Sequence, residues 1–451
     1  MASNETSWRE SLIRMGRAFE VPDLRARILF VMSMFAIYVA GLHIPAPLVN
    51  PDRLPDLGAI SGLIDIMSGG GFKRLSILAL GIVPYINASI IMQLLGIAVP
   101  AIQRMQKEGD TGRKVLSSYT RWGTVFLAFL QAVGLCIFLK NAGAIDPVFG
   151  WYAVLPVVIC MVAGTSFLMW IGEQLTDKGI GNGVSLIIFA GIMIRLPDTF
   201  WQIFKLAQVN AGAENLPQLV LSVGLIILIF VAIVVFITYV HQAIRKIPIQ
   251  HAKRVVGSRV FSSNNTYLPL KVVTAGVIPI IFAISVVMLP GTIGQFLDKH
   301  YADISQAVPV WVGWLKMLSP GQHWVGGLIY FLLVVFFTYF YTAVVYNVQD
   351  IADNLKKHGS FIPGIRPGKN TETYVDKVLT RITFAGALFL GLVALLPYII
   401  PVLLRSTGTE ASFFPLWGGT SLLIVVGVAL ETMKQIEANL VMHHYDGFIK
   451  N

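Results

Sequence analysis

The sequence predicts an all-α membrane protein, with ten transmembrane helices in two inverted five-helix halves. Three observations carry that reading: a chain too poor in charge to solvate a soluble globule, ten long stretches without Asp, Glu, Lys or Arg, and two motifs that recur five stretches apart. Of 451 residues, 55% are hydrophobic and 13% charged, and mean hydropathy is +0.71, whereas a soluble domain carries roughly 25% charge. Disordered, collagen-like and disulfide-scaffold classes are excluded as well, because the chain is apolar, Gly has no strict period, and there are only two Cys.

A membrane helix needs about 20 mostly apolar residues, and about 17 at the least. The charge-free stretches that reach or nearly reach this length are 28–51, 75–103, 122–139, 147–172, 179–194, 215–244, 272–297, 317–349, 382–404 and 411–430. They are spans one to ten. The apolar segment 304–315 is shorter and interrupted by Pro309, which predicts an interfacial piece. The chain divides into an amino-terminal segment 1–27, a first half 28–195, a second half 196–430 and a tail 431–451.

Charge sets the orientation. Of the 34 basic residues, 25 fall in the two tails and the even-numbered loops, leaving 9 on the other face. The 24 acidic residues divide 15 and 9 the same way, so the whole net charge of +10 lies on one side. Lys and Arg accumulate on the cytoplasmic side, so both termini are expected there. No cleavable signal peptide is expected, because the stretch from Ile28 follows a long polar tail and ends in Pro45-Ala46-Pro47. Cys136 and Cys160, in spans three and four, read as small packing residues.

Three cytoplasmic loops are long: 104–121, 241–271 and 347–381. The first needs no more than topology to explain it. The second is basic with no acidic residue, beyond what orientation requires, and the third contains Gly364-Ile365-Arg366-Pro367-Gly368. That motif holds a guanidinium in a rigid turn and suits an acidic partner: RNA, phosphate or an anionic protein surface. On the outer side, Ile60–Met67 is a short amphipathic piece followed by Ser68-Gly69-Gly70-Gly71. It reads as a surface loop or as a re-entrant element, the latter tolerated at membrane depth only when buried in protein.

The spans contain no charged group, which argues against a proton relay, ion-coupled transport or voltage sensing. There is no Gly-rich phosphate loop followed by Lys, no metal-spaced His/Cys cluster and no catalytic constellation, so neither a cofactor nor an enzyme activity is expected.

The repeat pairs Gly81-Ile82-Val83-Pro84-Tyr85-Ile86 with Gly276-Val277-Ile278-Pro279-Ile280-Ile281. It also pairs Gly183-Val184-Ser185-Leu186-Ile187-Ile188 with Gly419-Thr420-Ser421-Leu422-Leu423-Ile424. An odd number of spans per half inverts the second copy and puts a pathway near midplane between the halves. Ile86, Ile281, Ile188 and Ile424 should then converge on an uncharged constriction that seals by apolar contact or dewetting. Pro84 and Pro279 are expected to let two symmetry-related helices bend.

These residues resemble the SecY family of protein-conducting channel subunits over nearly the whole chain. The resemblance is carried by Ala79–Leu95, Gly172-Glu173-Gln174 and Gly179-Ile180-Gly181-Asn182-Gly183. It continues in Leu268-Pro269-Leu270-Lys271, Ala352-Asp353-Asn354-Leu355-Lys356-Lys357, the Arg366 turn and Gly418–Ile424. It implies an hourglass pore in a bacterial plasma (inner) membrane, passing unfolded secretory chains across and releasing hydrophobic segments sideways. The aliphatic ring would be Ile82, Ile86, Ile188, Ile281 and Ile424. A plug over 60–72 would include Ile60, Leu63, Ile64, Ile66 and Met67. Spans two and seven would form a lateral gate with Pro84, Asn87, Gln93, Pro279 and Ser285. Lys253, Arg254, Lys356, Lys357 and Arg366 would receive the motor SecA or the ribosome. SecE and SecG would be companion subunits, and membrane lipids, anionic ones included, further partners. Val39, His251 and Val348 depart from the family pattern, where local packing differences are expected. The rival readings are an inverted-repeat secondary transporter and an insertase that releases segments only sideways.

Overall fold

The computed structural model describes residues 19, 21–50, 53, 65, 68–141, 143–145, 152–211, 216–251, 255–256, 259–260, 266–303, 309–318, 323–404 and 419–449. Among these residues one long helix stands on each charge-free stretch. They are span one (Pro22–Leu42), two (Val83–Ala98), three (Asp110–Asn141), four (Val154–Lys178), five (Gly183–Ala211), six (Leu216–Gln242), seven (Ile278–Asp303), eight (Trp324–Val345), nine (Lys369–Leu404) and ten (Gly419–Ile449). Seven are long and apolar enough to cross a membrane by themselves, and an eighth does so if span two is joined to the bent helix after it. Spans six and seven, of 27 and 26 residues, complete the ten. Spans three and nine, of 32 and 36 residues, run to roughly 50 Å at 1.5 Å per residue. That exceeds the ~30 Å hydrocarbon layer, so their charged amino ends project beyond it.

The stretch 75–103 is not one helix. Residues 75–82 run through turns, the helix covers only Val83–Ala98, and the chain then bends by 105° into Pro100–Lys107. Pro100 accounts for the bend, since a residue before proline avoids helical dihedrals and Val99 is extended at φ −110°, ψ 112°. The irregular part has its backbone groups paired with the loop after span one: the Ala46 N–H donates to the Leu75 carbonyl at 2.8 Å and the Ile77 N–H to the Ile44 carbonyl at 3.0 Å. Pro84 stands in the first turn of span two, and Pro279 is the second residue of span seven. At that position the missing N–H would have no intrahelical partner. These prolines start their helices, and the expected mid-helix bend is corrected. The expected interfacial piece is the short helix Val310–Met317, which begins after Pro309 and lies with Leu315 against Gly294 of span seven. Residues 304–308 lie outside the described residues.

The membrane part is helical as expected, and the loops add strands that the sequence reading did not contain. β1 (Ile244–His251) is followed by a two-stranded hairpin of β2 (Val255–Val256) and β3 (Arg259–Val260), then by β4 (Thr266–Lys271) and, far along the chain, β5 (Ser360–Phe361). The order β4-β1-β5 is antiparallel throughout, with Ile247 opposite Leu268 and Gln250 opposite Phe361. This sheet knits the loops 241–271 and 347–381 together over a small core of Ile247, Leu270, Ile362 and Val375.

The sequence repeat recurs as matched backbone contacts. Gly81 and Gly276 take nearly the same left-handed dihedral, φ +59° and +61°, just before spans two and seven. A Cβ on Gly164 of span four would collide with the Ile77 carbonyl, and one on Gly386 of span nine with the Val272 carbonyl. Both carbonyls lie four residues before the paired glycines. Likewise Gly183 abuts the Gly172 carbonyl of span four, and Gly419 the Val393 carbonyl of span nine. Only glycine permits such close approach.

Candidate functional site

Ile86 and Ile281 are each the fourth residue of their helices, spans two and seven, while Ile188 and Ile424 are each the sixth residue of spans five and ten. Ile82 caps span two. All five are between 1% and 4% exposed and belong to one apolar cluster. Helix starts set by Gly and Pro therefore place four side chains from distant parts of the chain in that cluster.

Ile86, Ile188 and Ile281 form one end of a cavity of about 230 Å³. Its other walls are Tyr85, Ser89, Gln93, Thr176, Asn182, Val184, Ser185, Ile278, Phe282 and Tyr341. Ser89 and Gln93 follow Ile86 along span two, and Asn182 and Ser185 precede Ile188, so the hydroxyl and amide groups lie on the side of the basic loops. Asn182 caps span five, its Oδ1 accepting from the N–H groups of Val184 and Ser185 at 3.0 and 3.3 Å. An uncharged chamber of mixed polar and apolar lining thus borders three of the four buried isoleucines.

Spans two and seven touch beside this chamber. Asn87 of span two and Ser285 of span seven are buried, and neither Asn87 Nδ2 nor Ser285 Oγ has a hydrogen-bond partner among the described residues. Gln93 Nε2 donates to Ser89 Oγ at 3.3 Å. Buried polar groups left unpaired cost about 1–3 kcal/mol each, so these two positions weaken the packing of the helices that carry them.

On the side opposite the basic loops, Ile60, Leu63, Ile64, Ile66 and Met67 lie outside the described residues. Their neighbours Asp65 and Ser68–Gly71 are buried. The Asp65 carboxylate is fully enclosed, with Oδ2 2.5 Å from Nη1 of Arg195 on span five and Oδ1 accepting the Lys73 N–H at 2.9 Å. Burial pushes this carboxyl above the ordinary carboxylate range, while Arg195 and Lys73 pull it back. The sequence reading missed this pair. A single carboxylate inside an apolar octet, and an Arg just beyond span five, were the available signals.

In the basic loops, Lys253 and Arg254 lie outside the described residues. Lys356 and Lys357 end the short helix Val348–Lys357, where cations suit the carbonyl terminus. Val348 occupies the first position of that helix, and the Asn347 side chain caps it by accepting the Asp350 N–H at 3.4 Å, so no proline is needed. Arg366 is exposed, without a carboxylate partner among the described residues. Gly364 and Gly368 beside it have φ +82° and +103°, and Thr371 Oγ1 donates to its carbonyl at 3.0 Å. The β-sheet brings this turn and the 241–271 loop onto one surface.

A family model described as SecY matches residues 76–433. Relatives include the protein translocase subunit SecY of Streptomyces galbus, 42% identical over 97% of this chain and 100% of its own. That of Pseudomonas aeruginosa is 43% identical over 95% and 93%. Among solved structures, a protein-conducting channel superposes with a TM-score of 0.64 at 19% identity, covering 92% of both chains. Sec61 from a canine ribosome–channel complex superposes at 0.59 and 17%, also covering 92% of each. A match over most of the chain, joined to relatives above 40% identity along nearly all of it, makes this protein a member of the SecY family.

Proposed function

We propose that the chain is the channel-forming subunit of a protein translocase, a passive pore with no reaction of its own. One observation carries the reading. Ile86 and Ile281, and Ile188 and Ile424, held at matched positions of two repeat halves, are buried in one apolar cluster, and three of them border a cavity with no charged residue in its lining. An apolar collar excludes water and ions when shut, yet holds a moving polypeptide without specific bonds. Unfolded secretory chains pass through the collar, and hydrophobic segments leave sideways between spans two and seven, which carry the buried Asn87 and Ser285. The outer segment 60–72 acts as a plug; a SecY structure similar to this one, with TM-score 0.61 at 20% identity, was described for a plug domain that stabilises the closed state.

The driving force comes from outside. The sheet-bound loops, with Lys253, Arg254, Lys356, Lys357 and Arg366, receive the SecA motor or the ribosome, and related channels have been solved on ribosomes. SecE and SecG complete the assembly in the bacterial inner membrane, with both termini cytoplasmic. The test is import of a fully secreted polypeptide into vesicles holding the purified complex with motor and ATP. Protease-protected product supports the pore. Uptake of ions or small solutes coupled to a proton or sodium gradient, without polypeptide import, overturns it.

A further inference from the structure

We propose that the Asp65–Arg195 ion pair is a latch that fastens the plug to span five, so that the resting seal depends on this one electrostatic contact; the inference rests on the plug reading above. The face of span five that meets the plug is continuous with the ring. Ile188, Gly191 and Arg195 lie three and seven residues apart, which puts them on one side of a helix about 10 Å long from ring to cation. Gly191 is where the backbones touch. A Cβ on Gly69 would stand 3.0 Å from the Gly191 Cα, and one on Gly70 would stand 3.1 Å from Cδ and Nη1 of Arg195. Three consecutive glycines are thus what lets the turn seat deeply enough for Asp65 to reach the guanidinium. Span one holds the other side, with the buried Tyr38 hydroxyl 3.4 Å from the Ser68 carbonyl.

The chemistry makes the contact all-or-none. Asp65 has no solvent exposure and the Arg195 side chain only 15%, so neither charge tolerates the loss of its partner while the plug stays seated. Arg195 Nε has no acceptor among the described residues, so the cation is held chiefly through Nη1. The second partner of Asp65, the Lys73 N–H, belongs to the same loop and travels with it. When the plug leaves, the carboxylate keeps Lys73 and gains water in the outer funnel. Arg195 is hydrated there too. The pair therefore favours the seated plug only as long as the site stays dry.

The experiment uses the full chain with its companion subunits in planar bilayers, together with export of a protein bearing a defective signal sequence. Arg195→Gln and Asp65→Asn should each raise resting conductance several-fold and relax the signal requirement, Arg195→Lys should seal like the parent, and the double variant should leak no more than either single one. Both singles sealing like the parent, or a double variant whose leak is the product of the two, would overturn the latch, since independent sites combine without coupling. Failure of the single variants to accumulate in membranes would overturn it too, placing the pair in the fold rather than in the gate. Replacement of four ring isoleucines by Ser is measured alongside. Leak there with tight latch variants overturns the latch alone, whereas tightness in both overturns the pore reading.

Discussion

Each ring isoleucine is as buried as any core residue, between 1% and 4% exposed, and burial alone does not tell a gate from a core. The two differ in where the energy of the contact goes. Core contacts are lost only on unfolding; ring contacts are lost whenever the channel opens. Replacing Ile86, Ile188, Ile281 and Ile424 together by Ser removes apolar contacts that in a core would cost about 2–5 kcal/mol each. The sum would rival the whole stability of a domain, about 5–15 kcal/mol. In a gate the same loss favours the open state. The variant should therefore assemble at parental levels and conduct ions at rest, as read by membrane content and single-channel recording. Absence of the protein from the membrane would instead mark these residues as ordinary packing. The repeat picks out these four residues without any knowledge of contacts, and all four are buried. Asp65 and Arg195 were not, because a lone charge at the edge of a span looks like solvated surface until its partner, 130 residues away in the chain, is placed beside it.

At the level of elements, spans two, five, seven and ten begin at or beside the Gly and Pro positions of the repeat, about four to eight residues after the starts of the charge-free stretches. Their bending role was misread because Pro is a breaker inside a helix and a starter at its first turn, and a sequence stretch does not mark which turn is first. The sheet escaped notice for a related reason. Pro248 and Pro269 interrupt the alternation of Ile247, Ile249, Leu268 and Leu270, and proline argues against an inner strand. β5 meets β1 only at Gln250 and His251, so at Pro248 the strand has a neighbour on one side alone and the proline does no harm. Two predictions belong here. Gly183→Val should sharply lower the amount of assembled protein, because the new Cβ meets the Gly172 carbonyl with no flexible side chain to give way; normal accumulation would show that spans four and five are not in backbone contact. Arg366→Glu should leave the protein in the membrane at normal levels but cripple motor-driven export. A charged contact buried at an interface is worth about 2–5 kcal/mol, and reversal adds repulsion. Undiminished export by that variant would remove the turn from the docking surface.

For the molecule as a whole, composition and charge settled the membrane class and the number of spans, and the two short repeats indicated the halves. The structure adds their physical basis: carbonyls of Ile77 and Val272 against Gly164 and Gly386, and of Gly172 and Val393 against Gly183 and Gly419. Spans one to ten otherwise turn large apolar side chains outward, among them Met32, Leu228, Phe236 and Phe336, as a lipid-facing surface requires. What those halves enclose is the central claim, and it is open to direct measurement. A secretory chain stalled halfway across the membrane, with photoreactive groups placed in turn at Ile86, Ile188, Ile281 and Ile424 of the channel, should crosslink at all four positions and at none of the lipid-facing ones. Crosslinks confined to the outward faces of spans two and seven, with none at Ile188 or Ile424, would show that the chain never enters the ring.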